Sequence, residues 1–560
     1  MIQRKNVLFA TAIPLGWVLL NLVLKGWHCG SPSVNLDESF SLFHAQMPPA
    51  NIVGELLKGN NPPLWELLLH AWIGVFGVGE FSARFLPTLF SSLAVFFIHR
   101  IGMEHQGIRQ ATMASALFTL SNYHMVFAHE ARVYPLLVLL TSASFYAFQC
   151  NMREPAQGRW WVAWVVTNVA LLYSHYFGLF VLASQTLLWL VNGKLRRNAM
   201  RQWLVSVGVL VLAYLPLMVV VVRRFWASAS EGTWIAPVRH LNPLKMVVTT
   251  LSNGHVLGYA VLVLAAVCIA VTIVRSPMSR IGKGLALLAA GGWFAVCTAI
   301  EFHLRWAPVL THKPWGMASM LTLAVLLLAL LLWKGRLPLA TQTSMVWFAF
   351  PLLAMFTASF WIPMFIDRYW SFVTPAFFLL VASGVGMLPQ RLSWVVGAAM
   401  VIAMAKPFEV NPSNDRPFKE LYGDVGRFLE EEPNSVVVIC PEYFDLNYAY
   451  YLAPETFIQR PTQGSLRSAL RTSGVHPIRN ARDLARVDLS EAKQVIYVNA
   501  ASSFVYPNNG ILAQLDSTWR QTGKFEGHRD FKWHRFLPKE APADSSSSDG
   551  TSVLLEDGQR

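Results

Sequence analysis

The chain has 560 residues, of which 54% are hydrophobic and only 14% charged, where soluble domains carry roughly 25% charged residues. That balance excludes an ordinary soluble enzyme and describes a polytopic membrane protein. The formal charge of +13 is not a nucleic-acid signal, because Lys and Arg gather in short connectors between apolar runs, where they set orientation by the positive-inside rule.

At the N-terminus, Arg4 and Lys5 precede an apolar run from Val7 to Leu24. A cleaved signal peptide has a shorter apolar core of about 7–15 residues, so this run reads as an uncleaved first span with a cytoplasmic N-terminus. Asn35 to His44 then falls on the outer surface, with Asp37 and Glu38 adjacent in it. Next, Pro62-Pro63 forces an extended entry into the apolar piece Leu64 to Val78, which contains Glu66 and His70. That piece is short for a span and suits an interfacial or re-entrant helix.

If it does not cross, the basic connectors fall on one side of the membrane. They hold Arg100 and Arg109, Arg153 and Arg159, Arg196 and Arg197, Arg280, Lys334 with Arg336, and Arg391. The predicted spans are 7–24, 81–101, 110–128, 131–150, 160–177, 178–192, 203–222, 256–274, 285–302, 317–333, 344–364, 371–388 and 393–407. Asp37, Asn60 to Pro63, His129 to Arg132, Tyr173 to Tyr176, the loop 223–255 and Asp367 to Tyr369 then share the outer face. The loop breaks the charge rule with Arg223, Arg224, Arg239 and Lys245; an anionic ligand there, or the indifference of longer loops to the rule, accounts for it.

After Pro407 the composition turns polar. A helical stretch, Phe418 to Glu432, precedes strand-like runs at Ser435 to Cys440 and Gln494 to Val498, the pattern of a small α/β domain. The expected organisation is a transmembrane domain over 1–408, with its outer-face loop at 25–80. An extracytoplasmic α/β domain over 409–538 and a disordered tail over 539–560 follow. Cys29, Cys150, Cys268, Cys297 and Cys440 have no paired spacing and form no metal signature.

Several ionisable groups are candidates for chemistry. Asp37 at the bilayer edge can act as a general base toward a hydroxyl arriving from the surface, or the Asp37–Glu38 pair can simply solvate a loop. Between two apolar runs, His129-Glu130-Ala131-Arg132-Val133-Tyr134 leaves almost no room for a loop, and polar groups at a span end face a protein interior or a wet cavity. Glu130 and Arg132 either stitch two helices together or serve as a second acid and a phosphate partner. The planar fork of arginine suits the latter role. His175, flanked by Tyr173 and Tyr176, can cap a helix end or line a sugar site, and Arg368 beside Tyr369 can hold a phosphate or snorkel to headgroups.

The ordered series of motifs resembles the GT-C glycosyltransferases. It consists of Asp37-Glu38-Ser39-Phe40-Ser41-Leu42, Asn61-Pro62-Pro63-Leu64, Glu80-Phe81-Ser82-Ala83-Arg84-Phe85-Leu86-Pro87, His129 to Tyr134, Tyr173-Ser174-His175-Tyr176-Phe177, and Arg368-Tyr369 with Pro375. The nearest group is the bacterial protein-mannosyltransferase-like branch that includes the lipid A aminoarabinose transferase. His129 replaces that group's usual Gln, and Asn61 stands where His often precedes the prolines. The resemblance implies a GT-C-like helical membrane fold of about 13 spans with a C-terminal α/β domain.

It also implies transfer of a sugar from a polyprenyl-phosphate donor to a glycolipid, polysaccharide or protein acceptor outside the inner or plasma membrane. Asp37 and Glu130 would be catalytic, with Asp37 the base of an inverting reaction and Glu130 orienting a substrate. Glu38, Asn61, Arg132, Tyr134, His175, Tyr176, Arg368 and Tyr369 would line the substrate site, although Glu38 also suits a structural role. The family includes metal-dependent and metal-independent members; no obligatory metal is expected, and a divalent ion is compatible. The rival reading is a transporter or flippase, which would place functional charges near mid-membrane on repeated helices. The topology predicts that cysteines introduced at Asp37 and Lys194 label from opposite sides of the membrane; labelling from one side would overturn it.

Overall fold

A computed structural model describes residues 2–59, 61–231, 235, 243–301, 314–334, 337–412, 416–459, 462–527 and 530–539. Asn60, Arg239 and the tail beyond Lys539 lie outside them. The chain divides into two compact units, one of Met1–Pro32 with Phe40–Asn414, the other of Ser33–Ser39 with Asp415–Arg560.

Among its described residues, the regular elements of the first unit are all helical. Its elements open with α1 (Ile2–Gly26), α2 (Leu36–Ala45, whose first turn lies in the other unit), α3 (Pro49–Leu56), α4 (Leu64–Phe76) and α5 (Glu80–Gln106). Then come α6 (Ile108–Thr119), α7 (Asn122–Ala128), α8 (Tyr134–Arg153), α9 (Gly158–Ser174), α10 (Gly178–Val191) and α11 (Gly193–Glu231). The last are α12 (Pro243–Leu251), α13 (His255–Arg275), α14 (Arg280–Glu301), α15 (Pro314–Lys334), α16 (Leu339–Ala358), α17 (Thr374–Gly386) and α18 (Gln390–Ala405). Five segments among the described residues are long and apolar enough to cross a membrane: Glu80–Glu104, Arg196–Ala227, His255–Arg275, Leu339–Ala358 and Asp367–Gly386. Shorter apolar helices accompany them, including Leu64–Phe76. At 13 residues, α4 is about 20 Å long, short of a hydrocarbon core about 30 Å thick.

Around α5 pack α1, α6 and α8. The α5–α6 approach is close enough to require glycine, because a Cβ on Gly102 would meet the Ala111 Cα at 2.7 Å. The interior also holds polar donors bonded across helices. Lys25 donates to Ser91 Oγ at 2.9 Å and Asn21 to Thr119 Oγ1 at 2.8 Å. Donors satisfied in this way can be kept from water.

The span expected at 110–128 is broken. Ser121 is extended (ψ 117°) between α6 and α7, and Asn253 occupies the gap. Its Oδ1 accepts the Asn122 N–H at 2.9 Å and its Nδ2 donates to the Leu120 carbonyl at 2.7 Å. Side-chain amides thus replace the helical bonds that the break forfeits. The expected outer loop 223–255 is helical at both ends, in α11 and α12.

The second unit contains α19 (Phe418–Glu431), β1 (Ser435–Cys440), α20 (Asp445–Leu452), α21 (Pro454–Gln459), α22 (Gln463–Thr472) and β2 (Val475–Pro477). It continues with α23 (Ala481–Leu484), β3 (Gln494–Ala500), α24 (Ile511–Thr518), β4 (Trp519–Glu526) and β5 (Phe531–Pro538). The sheet order is β2-β1-β3-β5-β4. β1 runs parallel to β2 and β3, whereas β5 is antiparallel to β3 and β4. As the central parallel strand, β1 is an unbroken apolar run, as strands covered on both faces are. Val438, Val495, Tyr497, Leu515 and Phe536 form its core.

The division between units differs from the expected one. It falls at Asn414 and Asp415, and Ser33–Ser39 groups with the C-terminal unit. Hydrogen bonds supply the reason. The Val34 N–H donates to the Tyr451 hydroxyl at 2.7 Å, the buried Asn447 Nδ2 donates to the Val34 carbonyl at 2.9 Å, and the Lys419 N–H donates to Ser33 Oγ at 3.1 Å. Removing one partner of a buried pair costs about 1–3 kcal/mol. Asn447→Ala is therefore expected to lower the unfolding midpoint and to raise protease cleavage within 33–39. Wild-type protection of that segment would refute the anchor.

Candidate active site

Helix α2 begins with a reciprocal cap. Asn35 Oδ1 accepts the Glu38 N–H at 3.0 Å, and Glu38 Oε2 accepts the Asn35 N–H at 2.9 Å. This satisfies donors that a helix start leaves open. The fully buried Glu38 thus caps the backbone at the start of α2. Asp37, in the same first turn, is half-buried. One turn on, α2 carries Ser41, and His44 follows three residues later.

Ser41 is the centre of a buried chain. Arg132 Nη1 donates to Ser41 Oγ at 2.7 Å, and Ser41 Oγ donates to Glu66 Oε1 at 3.1 Å. All three residues are buried, and they come from α2, α4 and the connector between α7 and α8. α4 is tied to α2 a second time, where His70 Nδ1 donates to the Ala45 carbonyl at 2.7 Å. The connector is fixed as well, because His129 Nε2 donates to the Lys25 carbonyl at 2.7 Å.

Burial pushes the Glu66 carboxyl up to about 7, against the opposing pull of Arg132 and the Ser41 hydrogen bond. Ser41 thus holds this carboxyl beside the Arg132 guanidinium, a group whose planar fork suits an anion. Burial also lowers the His44 pKa, an effect to which Arg132 adds and which the hydrogen bond to the Phe40 carbonyl and the charge of Glu55 oppose.

A second group comes together around His175. Its ring centroid lies 6.5 Å from that of Tyr134 and 5.7 Å from that of Tyr369. Phe177 meets Tyr369 edge-on at 5.1 Å, and the Arg132 charge acts on His175. Arg132, Tyr134, His175 and Tyr369 thus form one neighbourhood.

The other expected residues are placed as follows. Glu130 is half-buried beside Arg132, and its carbonyl accepts the Arg132 N–H at 2.7 Å. Arg368 is half-buried at the start of the 3-10 turn Asp367–Val373, and its charge acts on Tyr123. Tyr123 donates to the Asp367 carbonyl at 2.7 Å and stacks on Trp370. The Tyr176 hydroxyl is buried with no hydrogen bond among the described residues and feels Arg224 rather than Arg132. Asn61 is half-buried ahead of α4, and no described contact joins it to the group around Arg132. Among the described residues no three His, Cys, Asp or Glu side chains group as a metal site.

Sequence reasoning did not enrol Ser41, His44 or Glu66. Glu66 carried a signal, as a carboxylate inside an apolar helix; Ser41 carried none.

Residues 60–222 match the family model described as dolichyl-phosphate-mannose-protein mannosyltransferase. The motif resemblance and this match coincide over that stretch. It contains Glu66, Glu130, Arg132, Tyr134, His175 and Tyr176. Among solved structures, the chain is similar to apo ArnT from Cupriavidus metallidurans, with 14% identity, 94% of this chain and 98% of that one covered, and a TM-score of 0.44. ArnT bound to undecaprenyl phosphate gives 16%, 96%, 100% and 0.46. The apo oligosaccharyltransferase of Archaeoglobus fulgidus gives 13%, 96%, 75% and 0.49. None of these scores reaches 0.5, so the family match and the site's own geometry carry the functional reading. No curated protein sequence matches the chain.

The Glu66 titration predicts a sign. A carboxyl raised from the usual 4.5 to about 7 by burial is tolerated when neutral and costs stability when charged. Its stabilising effect is complete below about pH 4.5 and is lost as pH rises through 7. Glu66→Gln should remove this decline, gaining up to about 3 kcal/mol over wild type at pH 8 and little at pH 4.5. Parallel unfolding profiles over that range would refute the burial argument.

Proposed function

We propose that the chain is a membrane glycosyltransferase moving a sugar from a polyprenyl-phosphate donor to a hydroxyl of a cell-envelope acceptor on the outer face. The observation that carries this reading is the buried Arg132, held by Ser41 at 2.7 Å inside the stretch that matches the mannosyltransferase family. As the sugar departs, charge builds on the lipid phosphate. A guanidinium already fixed in a low-dielectric setting stabilises that charge without reorganising. Arg368 assists from the 3-10 turn, and Tyr134, His175 and Tyr369 offer ring faces to a sugar.

Asp37 accepts the proton of the acceptor hydroxyl while the oxygen attacks the anomeric carbon from the side opposite the phosphate, so the configuration inverts. The bond to the carrier phosphate breaks as the new glycosidic bond forms. Glu130 orients a substrate, and Glu38 holds the helix start on which Asp37 stands. An apolar cavity of about 420 Å³, lined by residues such as Val261, Leu264, Leu328, Met345, Leu352 and Val381, supports an isoprenoid carrier, since such a chain needs an apolar wall and no polar partners.

Asp37→Asn should reduce transfer by about 10²–10⁴-fold, the range for loss of a general base, with binding of the donor lipid retained. Arg132→Ala should cost about 10²–10³-fold, and Glu130→Gln should also impair transfer. The measurement is transfer from a labelled polyprenyl-phosphate sugar by purified protein, alongside mass spectrometry of surface glycans. Full transfer by Asp37→Asn would sink its role as base. Loss of stability alone in the Glu130 and Arg132 variants would leave them as helix-stitching residues.

A further inference from the structure

The C-terminal unit contains a polar cavity of about 610 Å³ that the transfer reaction does not use. We propose that it is a second ligand site, which takes a phosphate-monoester group borne on a sugar. Two independent observations converge on it.

The first is topological. The chain leaves β1 for β2 on one flank and then returns past β1 to β3 on the other, giving the order β2-β1-β3 with all three strands parallel. Open α/β sheets bind ligands outside the carboxyl ends of their strands, where the strand order reverses. The cavity opens beside that point, at the carboxyl ends of β1 and β2, and is lined by both connections, Arg467 and Arg471 from the first and Asp483 and Arg486 from the second. Its wall includes Glu442, two residues beyond β1, and Pro477, Ile478 and Arg479 at the end of β2.

The second is the charge left over after the internal pairs are assigned. Arg467, Arg471, Arg479 and Arg486 line the cavity. Arg467 Nε donates to the buried Asp445 Oδ2 at 2.8 Å, and Arg479 Nε donates to Asp483 Oδ2 at 3.2 Å. The Glu442 carboxylate accepts from the Tyr506 hydroxyl at 3.0 Å. The carboxylates on and behind this wall thus have their own partners, Glu442 through the charge of Arg479 as well as the Tyr506 hydroxyl. The side chains of Arg471 and Arg486 form no hydrogen bond or ion pair among the described residues, and both are exposed to the cavity mouth. Arg471, together with Arg486, whose charge acts on Asp483 without an ion pair, and the half-buried His476 on β2, offers forked donors to the three acceptor oxygens of a phosphate monoester. Ligand cavities commonly span about 300–1,000 Å³, so the volume leaves room for the sugar beside the phosphate.

The test is calorimetric titration of the full chain in detergent with glucose 1-phosphate, with glucose and short-chain phosphatidic acid as comparison ligands. Saturable binding of glucose 1-phosphate is expected, with none for glucose. Arg471→Gln and Arg486→Gln should each weaken it at least about tenfold, as loss of a charge-assisted bidentate contact does, with an unchanged unfolding midpoint. Arg132→Ala, which removes the proposed donor-phosphate partner, should bind glucose 1-phosphate as wild type does, which separates this site from the transferase reading. Absence of saturable binding, binding indifferent to both arginine variants, or binding of phosphatidic acid alone would overturn the proposal.

Discussion

A guanidinium withdrawn from water must be given partners, and the placement of Arg132 dictates how the surrounding helices meet. Three separate elements converge at it. The connector between α7 and α8 supplies the arginine, α2 supplies Ser41, and α4 supplies Glu66. An unpaired buried charge would cost several kcal/mol, so the three elements are not free to drift. The same burial raises the Glu66 carboxyl to about 7, so the contact that ties α4 to α2 responds to pH.

The start of α2 shows how two adjacent carboxylates acquire different fates. Glu38 is three residues beyond the cap residue Asn35, the spacing at which a side chain can return to the cap N–H. Asp37, one residue earlier in the same turn, is half-buried. The preceding Val34 is held through both its backbone groups by Tyr451 and Asn447. The C-terminal unit therefore fixes the segment that carries Asp37.

Much of this was legible beforehand because it follows from local rules. Apolar run length announces the helices, and Pro62-Pro63 announces the entry to α4. The valine run of β1 and the stretch Phe418 to Glu431 were readable for the same reason, since each has a strong period or an unbroken apolar core. β4 and β5 were not. β4 is a largely exposed edge strand whose Arg, Gln, Thr, Gly, Lys and Glu content carries no strand period. The break at Ser121 was equally hidden, because Asn253, more than a hundred residues away, stabilises it.

What the sequence determined by itself was therefore the membrane character, the order of the helices, the candidate residues on one proposed face and the family resemblance. All of these depend on composition, length or short motifs. Only the tertiary structure decided that Ser41 and Glu66 join Arg132, that Tyr134, His175 and Tyr369 share a neighbourhood, and that Ser33–Ser39 belongs with the C-terminal unit. These facts depend on contacts between residues far apart in the chain, whose partners are selected by the need to satisfy buried polar groups rather than by any neighbour in sequence.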